Sequence, residues 1–304
     1  MNAKVRITVP GLMGNSVFMT VPHFHSVGET LSAQSLYMEP GGKGCNQAVA
    51  AARLGAGVSF ISCMGEDGTA RECIEFMERE GIECLTQYTA SSASSYACIL
   101  TDSEGENQVT VHRGSAEYLS AEFIGSCESA IAASDILLLN NECPLEANMA
   151  ALEIAEKHGV KAVLNPAPYM PLSIEYLRRF YLITPNRHEA AMLAGVSSDI
   201  SAEELAQALM SRGIERGVIT LGSEGSEAWE NGKTFRCMAE KVRAVDTTGA
   251  GDCFSAALCC CIGEGRELAE AVRYAGLASG LSVAKKYVMP SLPRREELEK
   301  QYLG

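Results

Sequence analysis

Four stretches of this chain combine residue types that can do chemistry with backbone that can approach a ligand. Toward the C-terminus, Asp246-Thr247-Thr248-Gly249-Ala250-Gly251-Asp252 runs into an apolar helical segment. Glycines on either side of Ala250 leave backbone N–H groups unshielded, and the helix start adds positive partial charge, so the stretch suits an anion. Asp252 then stands in the first helical turn. A carboxylate there can take a proton from a hydroxyl while a transferring group rests on the N–H donors of Gly249, Ala250 and Gly251. The competing assignment is structural, a tight turn followed by an acidic helix cap. The residues alone leave the two level.

The second stretch is Gly41-Gly42-Lys43-Gly44-Cys45-Asn46-Gln47, ahead of an alanine-rich helix. Gly41 and Gly42 admit close backbone approach, and Lys43 and Asn46 offer donors to hydroxyls or phosphate near a helix start. Its spacing is not that of a Walker loop, and no dinucleotide-binding glycine fingerprint follows the first strand. The third is Asn186-Arg187-His188-Glu189, directly after an apolar strand. Asn186 and Glu189 face the same way if a helix starts there, and a capping box is the simpler account. The fourth, Thr220-Leu221-Gly222-Ser223-Glu224-Gly225, also follows a strand and reads equally as an ordinary βα turn.

A strand–helix alternation must position these stretches. Helical spacing occurs over 45–54, 69–80, 145–158, 202–212, 252–262 and 268–285, and short apolar strands over 58–62, 136–139, 162–164, 181–184 and 218–221. That rhythm predicts a parallel sheet covered by helices on both faces. Segments 16–38 and 95–113 break it with strand-like alternation and no helix, and 102–107 reads as a hairpin loop between two of these strands. Four such strands predict a small second sheet with an apolar face to cover, which suits a lid, a dimer interface or both.

Composition narrows the partners. A net charge of −13 without clustered Lys or Arg argues against nonspecific nucleic-acid binding and leaves small molecules as the better expectation. The longest apolar run, near 256–262, is far below the roughly 18–20 residues of a membrane span, and the first ten residues alternate like a strand rather than a signal segment. A cytoplasmic protein is expected. Twelve cysteines occur without a Cys-x-x-Cys pair, which predicts buried free thiols. His23 and His25 make a weak metal pair.

Taken together and in order, these motifs resemble the ribokinase family, the PfkB carbohydrate kinases, from about Val5 to about Leu292. Gly41-Gly42-Lys43-Gly44 with Asn46 and Gln47 looks like one family signature, Asp246 to Asp252 like the other, and Asn186-x-x-Glu189 like the magnesium-associated motif. The resemblance implies an α/β fold: a three-layer α/β/α domain with a central, mostly parallel sheet and a small β-sheet lid, residues 1–304 forming one kinase domain. It implies ATP-dependent phosphorylation of a hydroxyl on a sugar or sugar-containing small molecule, with Asp252 as catalytic base and Gly249, Ala250 and Gly251 around the developing charge. Gly41, Gly42, Lys43, Asn46 and Glu142 would face the acceptor. Asn186, Thr220, Gly222, Ser223 and Gly225 would lie against the nucleotide. Glu189 would organise Mg²⁺ through water, and Asp246, Thr248 and Ser291 match a K⁺ loop in which Tyr287 stands where ribokinases usually carry Gly. A homodimer through the lid is the expected assembly.

One departure unsettles the acceptor. Family members commonly carry an Asp in the turn after the first strand, where it accepts two sugar hydroxyls, but Gly11-Leu12-Met13-Gly14-Asn15-Ser16 holds no acid and the first Asp in the chain is Asp67. Simple ribose is therefore in doubt. Glu29 or Glu39 can substitute from the lid side, or the acceptor lacks the diol, or it bears an acidic group for Arg113. A nucleoside or modified-sugar kinase, and a binder with weak turnover, remain as alternatives.

Overall fold

The computed structural model describes residues 4–302. Its strands are β1 (Arg6–Pro10), β2 (Gly14–Thr20), β3 (Ser35–Gly41), β4 (Gly57–Gly65), β5 (Glu83–Thr89), β6 (Ser95–Thr101), β7 (Asn107–His112), β8 (Ile136–Asn140), β9 (Lys161–Asn165), β10 (Leu182–Ile183), β11 (Gly217–Thr220), β12 (Ser226–Glu230) and β13 (Lys233–Cys237). The helices are α1 (Lys43–Arg53), α2 (Gly68–Arg79), α3 (Ala121–Ser126), α4 (Glu128–Ala132), α5 (Leu145–His158), α6 (Ile174–Leu177), α7 (Arg187–Ala194), α8 (Ala202–Ser211), α9 (Ala250–Gly263), α10 (Leu268–Val283) and α11 (Arg295–Tyr302).

Nine strands form one sheet in the order β13-β12-β11-β10-β9-β8-β1-β4-β5. The ladders are parallel except where β12 meets its two neighbours. A parallel strand covered on both faces must be apolar on both, and Ile136, Leu137, Leu138 and Leu139 are all fully buried. Their side chains alternate between two cores: Ile136 and Leu138 pack with α1, α9 and α10, whereas Leu137 and Leu139 pack with α3 to α8. The expected three layers are therefore present. Local signals set the helix ends, such as the Asp67 carboxylate accepting Ala70 N–H at 3.0 Å and Gly159 closing α5 at φ 68°.

The sheet adds elements that the sequence pattern did not predict. β5 forms one edge, and the antiparallel hairpin β12–β13 forms the other, anchored by fully buried Trp229, whose indole N–H donates to the Ile214 carbonyl at 2.9 Å. From β1 the chain builds outward through β4 and β5, then returns to β8 on the other side. That reversal opens a crevice at the C-terminal ends of β1 and β8, where ligands of such sheets bind.

The second sheet has the order β3-β2-β6-β7. Its register sets Ser16 opposite Glu39 and Phe18 opposite Tyr37 and Ile99, all on one face. That face is covered: Phe18 is 8%, Ile99 5% and Glu39 5% exposed. The opposite face carries Leu36 at 62% and Met38 at 48% exposure. Among the described residues no helix is long and apolar enough to cross a membrane, and no group of three His, Cys, Asp or Glu could hold a metal. All twelve cysteines are free, most of them buried. His23 bonds Glu29 at 3.0 Å at the exposed end of the small sheet.

Candidate active site

α1 and α9 begin at the crevice and bring the two glycine stretches together. Asp252, in the first turn of α9, is 5% exposed. The Asn46 amide donates to its Oδ2 at 2.8 Å and the Gln47 amide to its Oδ1 at 3.2 Å. Burial pushes the Asp252 pKa up, against the opposing pull of the Lys43 charge and these two amides. A carboxylate so held is aligned and more basic than one in water. The Asp252 charge in turn raises Lys43, which stays an ammonium. Glu142 accepts the Gly44 N–H at 3.2 Å, and burial pushes its pKa to about 7.

Two polar groups beside this cluster have no partner among the described residues. Asn46 Oδ1 is buried without a hydrogen bond. The Ser16 hydroxyl also makes none; its Oγ lies 2.1 Å from where a Cβ on Gly41 would stand, so a side chain at 41 would turn the serine away. Buried polar groups are normally satisfied, so the Asn46 carbonyl, beside Asp252, has an acceptor position free for a ligand.

At the α9 start, Gly249 has φ 76°, and a Cβ there would come 2.6 Å from Val288 Cγ1. Gly251 faces open space. Of the three expected donors the Ala250 amide is turned inward, onto the Thr247 carbonyl at 3.3 Å. The amides of Gly251 and Asp252, in the first helical turn, have no preceding turn to bond.

Asn186 and Glu189 do form the capping box, each backbone N–H bonding the other's side chain at 2.9 Å. One Glu189 oxygen remains beyond that box, and the side chain is 7% exposed within reach of the Lys43 field. One carboxylate oxygen fits Mg²⁺ held chiefly by phosphate and water. Asn186 is bridged to Thr220, which leads into the turn of Gly222 and Ser223 at the same sheet edge. A Cβ on Gly225 would stand 2.0 Å from the Cys237 carbonyl.

The expected cation residues lie on two segments, 246–248 and 287–291, that Tyr287 joins. Asp246 accepts N–H from Thr248 and from Tyr287, each at 3.0 Å, and Ser291 donates to the Val288 carbonyl at 2.8 Å. Tyr287 takes the left-handed φ of 65° that glycine takes more easily. Both candidate substitute acids are engaged elsewhere: Glu29 accepts from Ser26 and bonds His23 at the surface, and both Glu39 oxygens are bonded to the 288–289 backbone. Arg113 is exposed and donates to the Asn141 carbonyl at 3.3 Å, next to Glu142.

A family model described as pfkB family carbohydrate kinase matches residues 6–295. The chain belongs to that family. The ribokinase of Haemophilus influenzae is 40% identical over 294 residues, 96% of each chain. The deoxyribokinase of Salmonella typhi is 30% identical over 281 residues, 91% of this chain and 92% of that one. The structure of Arabidopsis thaliana ribokinase complexed with ribose and ATP superposes with a TM-score of 0.90 at 27% identity, covering 98% of both chains. This pfkB-family chain is a carbohydrate kinase with the ribokinase fold.

Two residues of the site, Asn140 and Asn165, escaped the motif reading, and Gln47 was read only as part of a signature. Gln47 also donates to Asn165 at 3.1 Å and accepts from Asn140 at 3.4 Å, while Asn165 donates to the Thr184 carbonyl at 3.0 Å. This buried amide network orients the Asp252 carboxylate from behind. Its signal was available: two apolar strands, β8 and β9, each end in an asparagine.

Proposed function

We propose that this carbohydrate kinase transfers the γ-phosphoryl group of ATP to a hydroxyl of a small sugar, with Asp252 as the base. The observation that carries this is the buried, doubly hydrogen-bonded Asp252 beside the unpartnered Asn46 carbonyl and the open first-turn amides of α9. The acceptor hydroxyl gives its proton to Asp252 as its oxygen bonds to phosphorus, and the bond to the ADP oxygen breaks. Gly251 and Asp252 N–H groups and the Lys43 ammonium hold the charge on the transferring group. Gly41, Gly42, Asn46 and Glu142 orient the sugar, and Asn186, Thr220, Gly222, Ser223 and Gly225 border the nucleotide. Glu189 would hold Mg²⁺, which would supply charge neutralisation on the ATP phosphates, and Asp246, Thr248 and Ser291 would be the residues to hold K⁺.

The acceptor pocket is neutral at Ser16, which favours a second acceptor class: a deoxy sugar, or a nucleoside or modified sugar that presents no vicinal diol there. The deoxyribokinase likeness supports that reading. A non-catalytic binder is disfavoured, since Asp252 keeps both its amide donors. The exposed Leu36 and Met38 face supports a homodimer through the small sheet, and twelve free thiols suit a cytoplasmic, reducing compartment.

The test is ADP release with ATP and Mg²⁺, with and without K⁺, across ribose, deoxyribose, other sugars and nucleosides. Asp252→Asn is expected to lose about 10²–10⁴ in turnover while ATP binding holds. Equal turnover in the variant sinks the assignment of the base.

A further inference from the structure

Glu39, on β3, is a buried carboxylate at 5% exposure with no Lys, Arg or His paired to it among the described residues. Such a group is costly unless hydrogen-bonded. Its oxygens accept the N–H of Val288 at 2.8 Å and of Met289 at 3.0 Å. One residue earlier, the Tyr287 ring stacks on Tyr37 of the same strand, 3.8 Å between centroids and 18° between planes, with Phe18 edge-on at 5.3 Å. The small sheet is thus gripped to residues 287–289 by two charge-assisted bonds and three rings.

Two of these residues, Tyr287 and Val288, touch the turn before α9 from the other side. Tyr287 N–H donates to one oxygen of Asp246 and Thr248 N–H to the other, both at 3.0 Å. Val288 stands under Gly249, with its Cγ1 2.6 Å from where a Cβ would be. Gly249 is also the N-cap of the helix that carries Asp252.

We propose, on the kinase reading above, that Glu39 is a positioning residue for phosphoryl transfer, fastening the lid sheet through Val288 and Met289 to the turn that sets the Gly249–Asp252 anion hole. Sheet and anion hole then hold one alignment rather than two independent ones. The loop has a second support: Arg53 donates to the Leu292 carbonyl at 3.1 Å and to the Met289 carbonyl, and pairs with Glu80 at 2.6 Å. Loss of Glu39 therefore frees the amide side of the loop without releasing it from the fold.

Glu39→Gln is the first variant, because its amide keeps the size but meets one backbone N–H with another donor. Glu39→Asp, which keeps the charge but withdraws the carboxylate by one methylene from the two N–H groups, serves if the first does not fold. Expected is a fall of about 10–100-fold in kcat, the scale of a small misplacement remote from the chemistry, with acceptor KM unchanged. Acceptor-free ATP hydrolysis should fall by the same factor, since it uses the same anion hole. A rise in acceptor KM alone, or a lowered melting midpoint with kcat intact, overturns the proposal. Hydrogen exchange decides independently of turnover: amides 247–252 should exchange faster in Glu39→Gln while the middle of α1 stays protected. Unchanged exchange at 247–252 overturns the coupling even if no acceptor is found, whereas a silent acceptor panel with wild type tells only against the kinase reading.

Discussion

Replacing Glu142 by Gln should make the protein more stable above neutral pH, and the effect can be sized. Burial raises the Glu142 pKa from 4.5 to about 7, with the Lys43 charge and the Gly44 N–H pulling the other way. A raised carboxyl pKa favours the protonated form in the folded state. Its stabilisation is therefore full below pH 4.5 and is lost as pH rises through about 7. At about 1.4 kcal/mol per pH unit that window amounts to about 3 kcal/mol, and partial contact with water reduces it to about 2 kcal/mol. Glutamine keeps the size without titrating; its one carbonyl oxygen can still accept the Gly44 N–H, while the charge facing Lys43 is given up. Urea unfolding of both proteins at about pH 5 and about pH 8 should show the variant gaining about 2 kcal/mol on the wild type across that range. Other titrating groups are common to both and largely drop out of the difference. A difference that stays flat within about 0.5 kcal/mol, near the extrapolation error, would show that Glu142 is ionised throughout and its burial is not felt.

Ser16→Asp alone should not improve ribose turnover and should lower stability by about 1 kcal/mol or more, because it sets a second carboxylate directly opposite Glu39. Kinetics of the single variant against Ser16→Asp with Glu39→Ala would check this, and a better enzyme from the single change would refute it. Leu36→Lys on the outer face of the small sheet should yield a monomer in sedimentation analysis if that face joins two copies; an unchanged state would exclude it.

The layered fold was legible because parallel strands buried on both faces must be continuous apolar runs, as at 136–139, and because 145–158 keeps helical spacing to a glycine stop. β5 was not, since an edge strand reading Glu-Cys-Leu-Thr-Gln-Tyr-Thr is only half buried and loses the apolar signature. β12 and β13 were hidden for a different reason: β12 reads Ser-Glu-Ala-Trp-Glu, polar residues that the fold nevertheless largely buries, and β13 is half-exposed, so neither shows an apolar run. In the site, glycine spacing revealed the anion hole and Lys43, whose roles depend on local backbone. The support of Asp252 by Asn140 and Asn165 depends on strands far apart in sequence, which no local pattern encodes. For Asn186 and Glu189 the structural and chemical readings proved compatible, because a capping box uses one carboxylate oxygen and leaves the other.

The missing acid at Ser16 and the buried acid at Glu39 belong to one arrangement. They are directly opposed on β2 and β3, so two carboxylates there would share a poorly hydrated face and repel. Glu39 already stands near Asp246, whose charge adds to burial in raising its pKa, and a further acid at 16 would push it to protonate and weaken its hold on Val288 and Met289. An acid can therefore serve the acceptor at 16 or the loop at 39, but both together cost stability. In this chain the loop has it. On the proposed reading the acceptor would meet a serine hydroxyl and the Asn46 carbonyl instead, giving up charge-assisted bonds of about 1.5–3 kcal/mol each to a diol. Discrimination in favour of that diol should then be weaker by at least about tenfold, since each 1.4 kcal/mol is a factor of ten. What the exchange supplies in return is alignment. A lid fastened to the anion hole before the sugar arrives leaves less ordering for the sugar's own contacts to drive, so a less firmly held acceptor can still react in line.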